Sequence, residues 1–271
     1  MEENCLPSRF CFRVDEPLVT ARIMKNLSFL FFLCALLTVP GLAQTEKDPK
    51  IKEISSVKPV GSAPVDMAKA ALAAHGGDKL RGIKTLVLRG SVGVTTSAFP
   101  QAIAGSFAMV FAGEKYRLDL NNPVQPISQV FDGVNTQTTI QNGFELPPIN
   151  RIGFFMLSKV GDASFPISAL PAESKKKNGF RITSPEGFYT DYLIDEKTGQ
   201  LKGYESSYDM NGRIVTTSVA IDKCRLVEGV LVPEKFSQRF DLGQLTAYAD
   251  FKAKDISVNT EIDNGVFTIQ K

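Results

Sequence analysis

The chain has no tryptophan, a single histidine (His75) and few cysteines. Of its cysteines, only Cys224 lies beyond residue 43, where an apolar N-terminal region ends. Zinc sites built from histidine and cysteine therefore cannot be assembled in the rest of the chain, and an internal disulfide is excluded there. We expect no metal, no cofactor and a fold that packing alone stabilises.

Motifs that mark the commoner enzyme classes are also missing. The sequence has no Gly-x-Ser-x-Gly elbow, no Walker loop, no dinucleotide glycine fingerprint and no His-Glu-x-x-His helix. Asp191 and Asp195 could act as acid and base, but both alternate with Tyr192, which favours a solvated strand face. For His75, which follows a predicted helix, we expect a capping or surface role. We therefore expect no catalytic residue and no enzymatic activity.

The charge balance argues against a nucleic-acid partner. Lysine and arginine total 31 and aspartate and glutamate total 29, which gives a formal net charge of +2. Binding to many phosphates needs a strongly basic face. The one basic cluster, Lys175–Lys177, is more typical of a solvated loop.

The first 43 residues are typical of a secretory signal peptide. Met24–Asn26 precede an apolar run, Leu27–Val39, and small residues precede Gln44 as signal peptidase requires. The run is shorter than the roughly 20 residues that a membrane-spanning helix needs. We expect residues 1–43 to be a signal peptide, with Met24 as an alternative start. The mature protein should be exported and soluble, without a transmembrane segment.

Residues 44–65 are rich in Lys, Ser and Pro and lack apolar periodicity, which is typical of a flexible linker. Residues 66–271 remain as one domain, since all-β domains commonly reach this size. Asp66 is a suitable N-cap for an amphipathic helix that ends at Gly76-Gly77.

From Leu86 to Val258 the sequence alternates apolar and polar residues in short runs, separated by turn pairs such as Asp132-Gly133. The pattern predicts about eleven antiparallel strands in a meander. A sheet that long rolls up, because strand twist accumulates and its apolar face must be covered. Barrels of more than about eight strands commonly enclose a cavity.

The strand pattern is interrupted between Asn142 and Asn178 by a strongly apolar segment, Arg151–Val160. Its apolar residues lie almost all around a short helix, so the helix cannot face water on one side. Alternation places further apolar side chains on the inner face of two strands. The candidate ligand-binding residues of the strands and this helix are Phe107, Met109, Phe111, Tyr116, Leu118, Leu120, Ile152, Phe154, Phe155, Met156 and Leu157. The alternative is that these side chains form an ordinary packed core.

The order of these features resembles the LolA/LolB-like family, the outer-membrane lipoprotein carriers and receptors of the bacterial periplasm. Besides the opening helix, the matching features are the Gly105–Val110 strand leading to Tyr116–Leu118, the Asp132-Gly133 hairpin, the Gly153–Leu157 segment and the ending Val258–Phe267. The resemblance covers nearly the whole domain, through short motifs.

The resemblance implies a mainly β fold, an incomplete antiparallel barrel of about eleven strands with an N-terminal helix and a short lid helix. In that family the apolar interior shelters acyl chains during outer membrane lipoprotein sorting, and Phe154–Leu157 matches the lid helix. The carriers' basic residue associated with lid closure falls near Ala112 here, and their tryptophan falls near Gln137. These differences argue against energy-coupled lipoprotein loading and leave lipid binding open.

The expected function is an exported periplasmic carrier or chaperone that binds acyl chains of lipids or lipoproteins, with membrane-associated proteins as candidate partners. The alternative is a non-catalytic sensory or scaffolding domain of the same fold. In that case its own side chains would fill the cavity, and it would bind a protein partner.

The signal peptide predicts a defined new N-terminus. We expect the exported protein to begin at Gln44 in Edman sequencing, because cleavage should follow the small residues that end at Ala43. A lipid-modified Cys34, or an exported form that keeps Met24, would contradict the prediction.

Overall fold

The computed structural model describes residues 63–97, 100–124, 126–140, 145–172, 174, 178–210, 212–241 and 246–269. The predicted signal peptide, most of the predicted linker and Lys175–Lys177 lie outside the described residues. None of the helices in these ranges is long and apolar enough to span a membrane.

Twelve strands form one antiparallel sheet. Their bounds are β1 Thr85–Thr96, β2 Ile103–Ala112, β3 Lys115–Asn121, β4 Ile127–Phe131, β5 Thr136–Thr138, β6 Ile167–Ala169, β7 Gly179–Thr183, β8 Tyr189–Ile194, β9 Leu201–Met210, β10 Arg213–Val227, β11 Val230–Asp241 and β12 Thr246–Val258.

Strands β1 to β5 and β6 to β12 each follow one another as the meander predicts, but β5 and β6 lie at opposite edges, and β1 pairs with β12 in the middle of the sheet. Leu86 lies opposite Val258 in that central pair. The outermost strands, β5 and β6, pair on one side only within the described residues, so the barrel is incomplete. The mainly β fold class expected from the sequence is confirmed.

The strand that the sequence pattern does not predict is β6, which lies in the interruption between Asn142 and Asn178. It has three residues, Ile167–Ala169, and pairs with β7. A strand of that length is too short to show alternation. The sheet therefore has one strand more than the predicted eleven or so.

Four short helices accompany the sheet in the described ranges: α1 Pro64–Ala74, α2 Asp78–Arg81, the 3-10 helix Gly153–Lys159 and a second 3-10 helix, Asn264–Phe267. Helix α1 begins before the predicted Asp66, which lies in its first turn without making a capping hydrogen bond. Pro64 suits the first helical position because its φ is fixed and its missing N–H would have no partner there. The 3-10 helix Gly153–Lys159 is hereafter called the lid helix.

The concave face of the sheet carries the main core, and α1 and the lid helix pack on it. From α1, Ala68, Ala71 and Leu72 are buried in this core. On the convex face, Phe267 covers a smaller cluster that includes Val87, Val110 and Val130. Arg117 holds that C-terminal segment by donating to the carbonyl oxygens of Val266 and Thr268, at 2.9 and 3.3 Å.

His75 ends α1, as predicted, but its side chain is fully buried, so a surface role is wrong. Its Nδ1 lies 2.6 Å from the Leu231 carbonyl oxygen and must donate to it. Its Nε2 accepts from the Leu201 N–H at 3.0 Å. The neutral imidazole thus links α1 to β9 and β11, and burial lowers its pKa below the ordinary 6.5 although the Leu231 bond opposes the shift.

The lowered pKa of His75 predicts a pH-dependent stability. The stabilising neutral form is fully populated above the unfolded pKa of 6.5, and stability falls as the pH drops below that value because only the unfolded chain takes up the proton readily. Since His75 is the only histidine, its pKa can be read directly by NMR titration. We expect a value below 6.5.

The variant His75→Gln removes this titration. Its melting temperature, though lower, should change less between about pH 7.5 and about pH 5.5 than that of the wild type. An imidazole pKa at or above 6.5 would contradict the account of His75.

Candidate functional site

An apolar cavity lies between the concave face of the sheet and the lid helix. The sheet supplies Leu86 and Leu88 from β1, Met109 and Phe111 from β2, Val219 from β10, and Val232, Pro233 and Phe236 from β11. Ile149, Ile152, Gly153, Phe154 and Phe155 cover it from the lid side. This lining joins strands that are distant in sequence.

The polar side chains of the cavity wall are uncharged, and two of them are hydrogen-bonded to each other. Thr217 donates to the Arg239 carbonyl oxygen at 3.1 Å and accepts from Gln238 Nε2 at 2.9 Å. Burial raises the pKa of Tyr204 well above its ordinary value, so its hydroxyl stays neutral. No charged side chain is among the described residues that line the cavity.

Buried hydrogen bonds fix the start of the lid helix at Gly153. Its N–H donates to Thr190 Oγ1 at 3.0 Å, and the Tyr192 hydroxyl donates to its carbonyl oxygen at 2.6 Å. Thr190 in turn is hydrogen-bonded to Ser206 at 2.9 Å. Gly153 has a φ of +72°, and a Cβ there would lie 2.8 Å from the Tyr204 ring. Glycine is therefore required for this close approach.

The end of the lid helix is held as well. Arg81 donates to the carbonyl oxygen of Val160 at 2.8 Å, directly after the helix. Inside the helix the Ser158 hydroxyl donates to the Phe155 carbonyl oxygen at 2.7 Å. Hydrogen bonds at both ends therefore oppose movement of the lid helix.

Phe155 is the aromatic side chain of the lid helix that is only half-buried. Its ring lies against Phe111, with the centroids 3.9 Å apart and an interplanar angle of 37°. Phe154 is buried, 5.7 Å from the His75 ring in an edge-to-face contact. An aromatic pair such as that of Phe155 and Phe111 contributes about 0.5–1.5 kcal/mol beyond area burial, which a ligand can offset.

The cavity encloses about 70 Å³. Sites for small molecules usually measure about 300–1,000 Å³. A hydrocarbon chain therefore needs space that side chains now occupy, and the half-buried Phe155 is a lining side chain whose displacement would provide some of it.

The predicted site residues fall into separate groups. Met109, Phe111, Ile152, Phe154 and Phe155 line the cavity. Buried in the core but not among the lining residues are Phe107, Leu118, Leu120, Met156 and Leu157.

Tyr116 lines a separate, more polar pocket of about 230 Å³. Its hydroxyl accepts from Gln129 Nε2 at 2.7 Å, and the same amide group bonds both backbone polar groups of Leu146. Burial raises the pKa of Tyr116 to about 12. Tyr116 is thereby placed in a hydrogen-bond network apart from the apolar cavity.

Several lining residues were not among the predicted ones: Leu86, Leu88, Ile149, Tyr204, Thr217, Val219, Val232, Pro233, Phe236 and Gln238. Alternation places Leu86, Leu88 and Phe236 on an inner face. It does not show which inner residues lie beneath the lid helix, because that depends on the pairing of β1 with β12.

The carboxylates considered for acid and base chemistry lie in ion pairs and turns. Asp191 is buried, contrary to the expected solvated position, because Arg181 covers it with hydrogen bonds of 2.6 and 2.8 Å. Lys202 and the amides of a turn lower the pKa of Asp195 to about 2. In the described part of the chain, no group of three or more His, Cys, Asp or Glu could hold a metal ion.

No protein-family model matches the chain, and no curated protein matches it in sequence. Similar solved structures include a DUF1329 family protein from Desulfovibrio piger, with a TM-score of 0.45 and 8% identity over 76% of this chain and 98% of that one. A domain described as an outer membrane lipoprotein-sorting protein, from Vibrio parahaemolyticus, has a TM-score of 0.40 and 7% identity over 75% and 95%.

Lipoprotein LppX from Mycobacterium tuberculosis has a TM-score of 0.26 and 14% identity over 73% of this chain and 98% of that one. Similar structures thus include one from the lipoprotein-sorting proteins that the sequence resembles. Because each TM-score is below 0.5, function is inferred from this chain's own side chains.

The anchor at Gly153 can be tested against a second glycine of positive φ. Gly153→Ala and Gly187→Ala each place alanine in the left-handed region, at a cost of about 1–2 kcal/mol. Only at Gly153 does the new Cβ meet the Tyr204 ring, since nothing lies within 4 Å at Gly187.

Denaturant unfolding should therefore show Gly153→Ala to be less stable than Gly187→Ala by at least about 1 kcal/mol. Equal losses of stability would contradict a tight fit at the start of the lid helix.

Proposed function

We propose that this chain is an exported, non-catalytic carrier or chaperone that shelters acyl chains of lipids or lipoproteins beneath the lid helix. The observation that carries the proposal is the cavity wall, where apolar side chains of the sheet and the lid helix meet without a charged group among the described lining residues. The periplasm is the compartment we propose, on the strength of the predicted signal peptide.

The energetics of such a wall favour hydrocarbon of many kinds. Burial of one methylene contributes about 0.8 kcal/mol, so a dozen offset the ordering cost of binding with several kcal/mol to spare. Moving Phe155 away from Phe111 forfeits about 1 kcal/mol of ring–ring interaction, besides the burial of the ring area. Affinity should therefore follow chain length, while discrimination between chains of equal length is weak.

The small volume of the cavity favours a second candidate function. If the side chains stay where they are and leave only about 70 Å³ empty, the domain is a non-catalytic sensory or scaffolding module that binds a protein partner. The two functions differ in one measurable property, which is uptake of a hydrocarbon ligand.

Filling the cavity from the sheet side tests the proposal. Val219 is buried on β10 and lines the cavity, whereas Ile214 on the same strand is 65% exposed. Val219→Phe should weaken binding of a fluorescent fatty-acid probe about tenfold, or roughly 1.4 kcal/mol, because the ring occupies the space of the chain. The matched control Ile214→Phe should leave probe binding unchanged.

Probe titration and thermal melts should be measured on the same samples, so that loss of binding is separated from loss of folding. A wild-type protein that takes up no probe would refute the carrier function and leave the scaffolding alternative. Equal probe binding by Val219→Phe and Ile214→Phe would place the ligand somewhere other than this cavity.

A further inference from the structure

A groove of about 130 Å³ lies between α2, the turn that joins β2 to β3, and the lid helix. Leu80 and Ile83 form part of its apolar wall, and Ser158 and Lys159 border it from the lid helix. We call this groove the mouth. It is less apolar than the cavity and is bordered by several charged residues.

Two aromatic residues, Phe111 and Phe155, line both the mouth and the cavity. Their rings, in tilted contact, therefore form the partition between the two spaces. Phe111 is buried on β2, whose backbone is paired on both sides. Phe155 and Ser158 are three residues apart in a 3-10 helix and so share one side of it. Rotation of the Phe155 side chain alone would therefore connect the two spaces.

Positive charge dominates the border of the mouth. Arg81, Lys84 and Lys159 lie there with one carboxylate, Glu114. Lys84 is exposed, and its ammonium group forms no ion pair within the described residues. Lys159 Nζ lies 3.8 Å from Glu114 Oε1 and 5.5 Å from the centre of the Phe165 ring. Because the Lys159 side chain is 39% exposed and that of Glu114 68%, the ion pair contributes little.

Arg81, at the same border, is already hydrogen-bonded within the protein. Its guanidinium donates to Asp78 Oδ1 and to the Val160 carbonyl oxygen, each at 2.8 Å. The charges that remain for a ligand are therefore those of Lys84, which directly precedes β1, and Lys159, on the lid helix.

We infer that acyl chains reach the cavity through the mouth, and that Lys84 and Lys159 there bind the anionic end group of the chain. The ligand class is a single acyl chain that ends in a carboxylate or a phosphate. The hydrocarbon passes Phe155 into the uncharged cavity, while the end group stays outside because a charge is costly to bury without a partner. The inference rests on the proposed function, since it specifies the ligand of the same cavity.

The end-group preference can be measured with two chains that differ only in charge. Dodecanoate and 1-dodecanol should each displace the neutral dye N-phenyl-1-naphthylamine from the wild-type protein at about pH 8. We expect dodecanoate to bind about fivefold more tightly, in line with two partly exposed ion pairs. Added salt should reduce this preference.

Charge-reversal variants test whether Lys84 and Lys159 cause the preference for dodecanoate. Lys84→Glu combined with Lys159→Glu should abolish the advantage of dodecanoate and leave dodecanol binding unchanged. The matched control is Lys252→Glu combined with Lys254→Glu, two exposed positions on β12 with the same change of net charge. This control should retain the preference.

Equal affinity of the two chains for the wild type, or equal losses in the two double variants, would overturn the assignment of the mouth while the carrier function stands. If neither chain displaces the dye, both proposals fail. The outcomes are distinguishable because dodecanol binding reports on the cavity alone.

The rate at which the ligand associates tests the access route past Phe155 separately from the affinity. Phe155→Ala should accelerate dodecanoate association several-fold in stopped-flow measurements, because the partition between mouth and cavity is removed. Ile149→Ala is the matched control, since Ile149 lines the cavity but not the mouth. Equal rates for the two variants would overturn the route past Phe155.

Discussion

The apolar concave face of the sheet has to be shielded from water. Within the described part of the chain, α1 and the lid helix cover most of it. The hydrogen bonds of Gly153 to Thr190 and Tyr192 place the lid helix over this face. Both partners belong to β8, so the sheet itself sets the position of its cover. The cavity is the space that the cover leaves unfilled.

This arrangement combines a hydrogen-bonded lid helix with a side chain that no hydrogen bond holds. The lid helix is bonded at both ends, while Phe155 is half-buried between the cavity and the mouth. A hinged lid would have to break several buried hydrogen bonds, each expensive to leave unmade. Rotation of the Phe155 ring breaks no hydrogen bond, so the route proposed for the acyl chain runs past this side chain.

The period-two alternation was enough to predict the sheet and its meander, because a strand with one dry face must alternate. It could not reveal β6, which is too short, or the buried positions of His75 and Asp191. Those two residues are inside because each found partners from other strands, Leu201 and Leu231 for the first and Arg181 for the second.

The candidate site was only partly predictable for a related reason. Alternation assigns Phe107, Met109 and Phe111 to one face, but only the last two lie beneath the lid helix. In the lid helix, the 3-10 geometry places Phe155 toward the mouth, while Leu157 is buried in the core. These distinctions depend on strand order and helix type, which the apolar pattern does not encode.

The central claim is that the cavity holds hydrocarbon, and native mass spectrometry of the protein, purified without detergent, tests it most directly. The account predicts a species heavier than the bare polypeptide by the mass of an acyl lipid, and its release when the protein is unfolded. A spectrum that shows only the mass of the bare chain, even after incubation with excess dodecanoate, would contradict it.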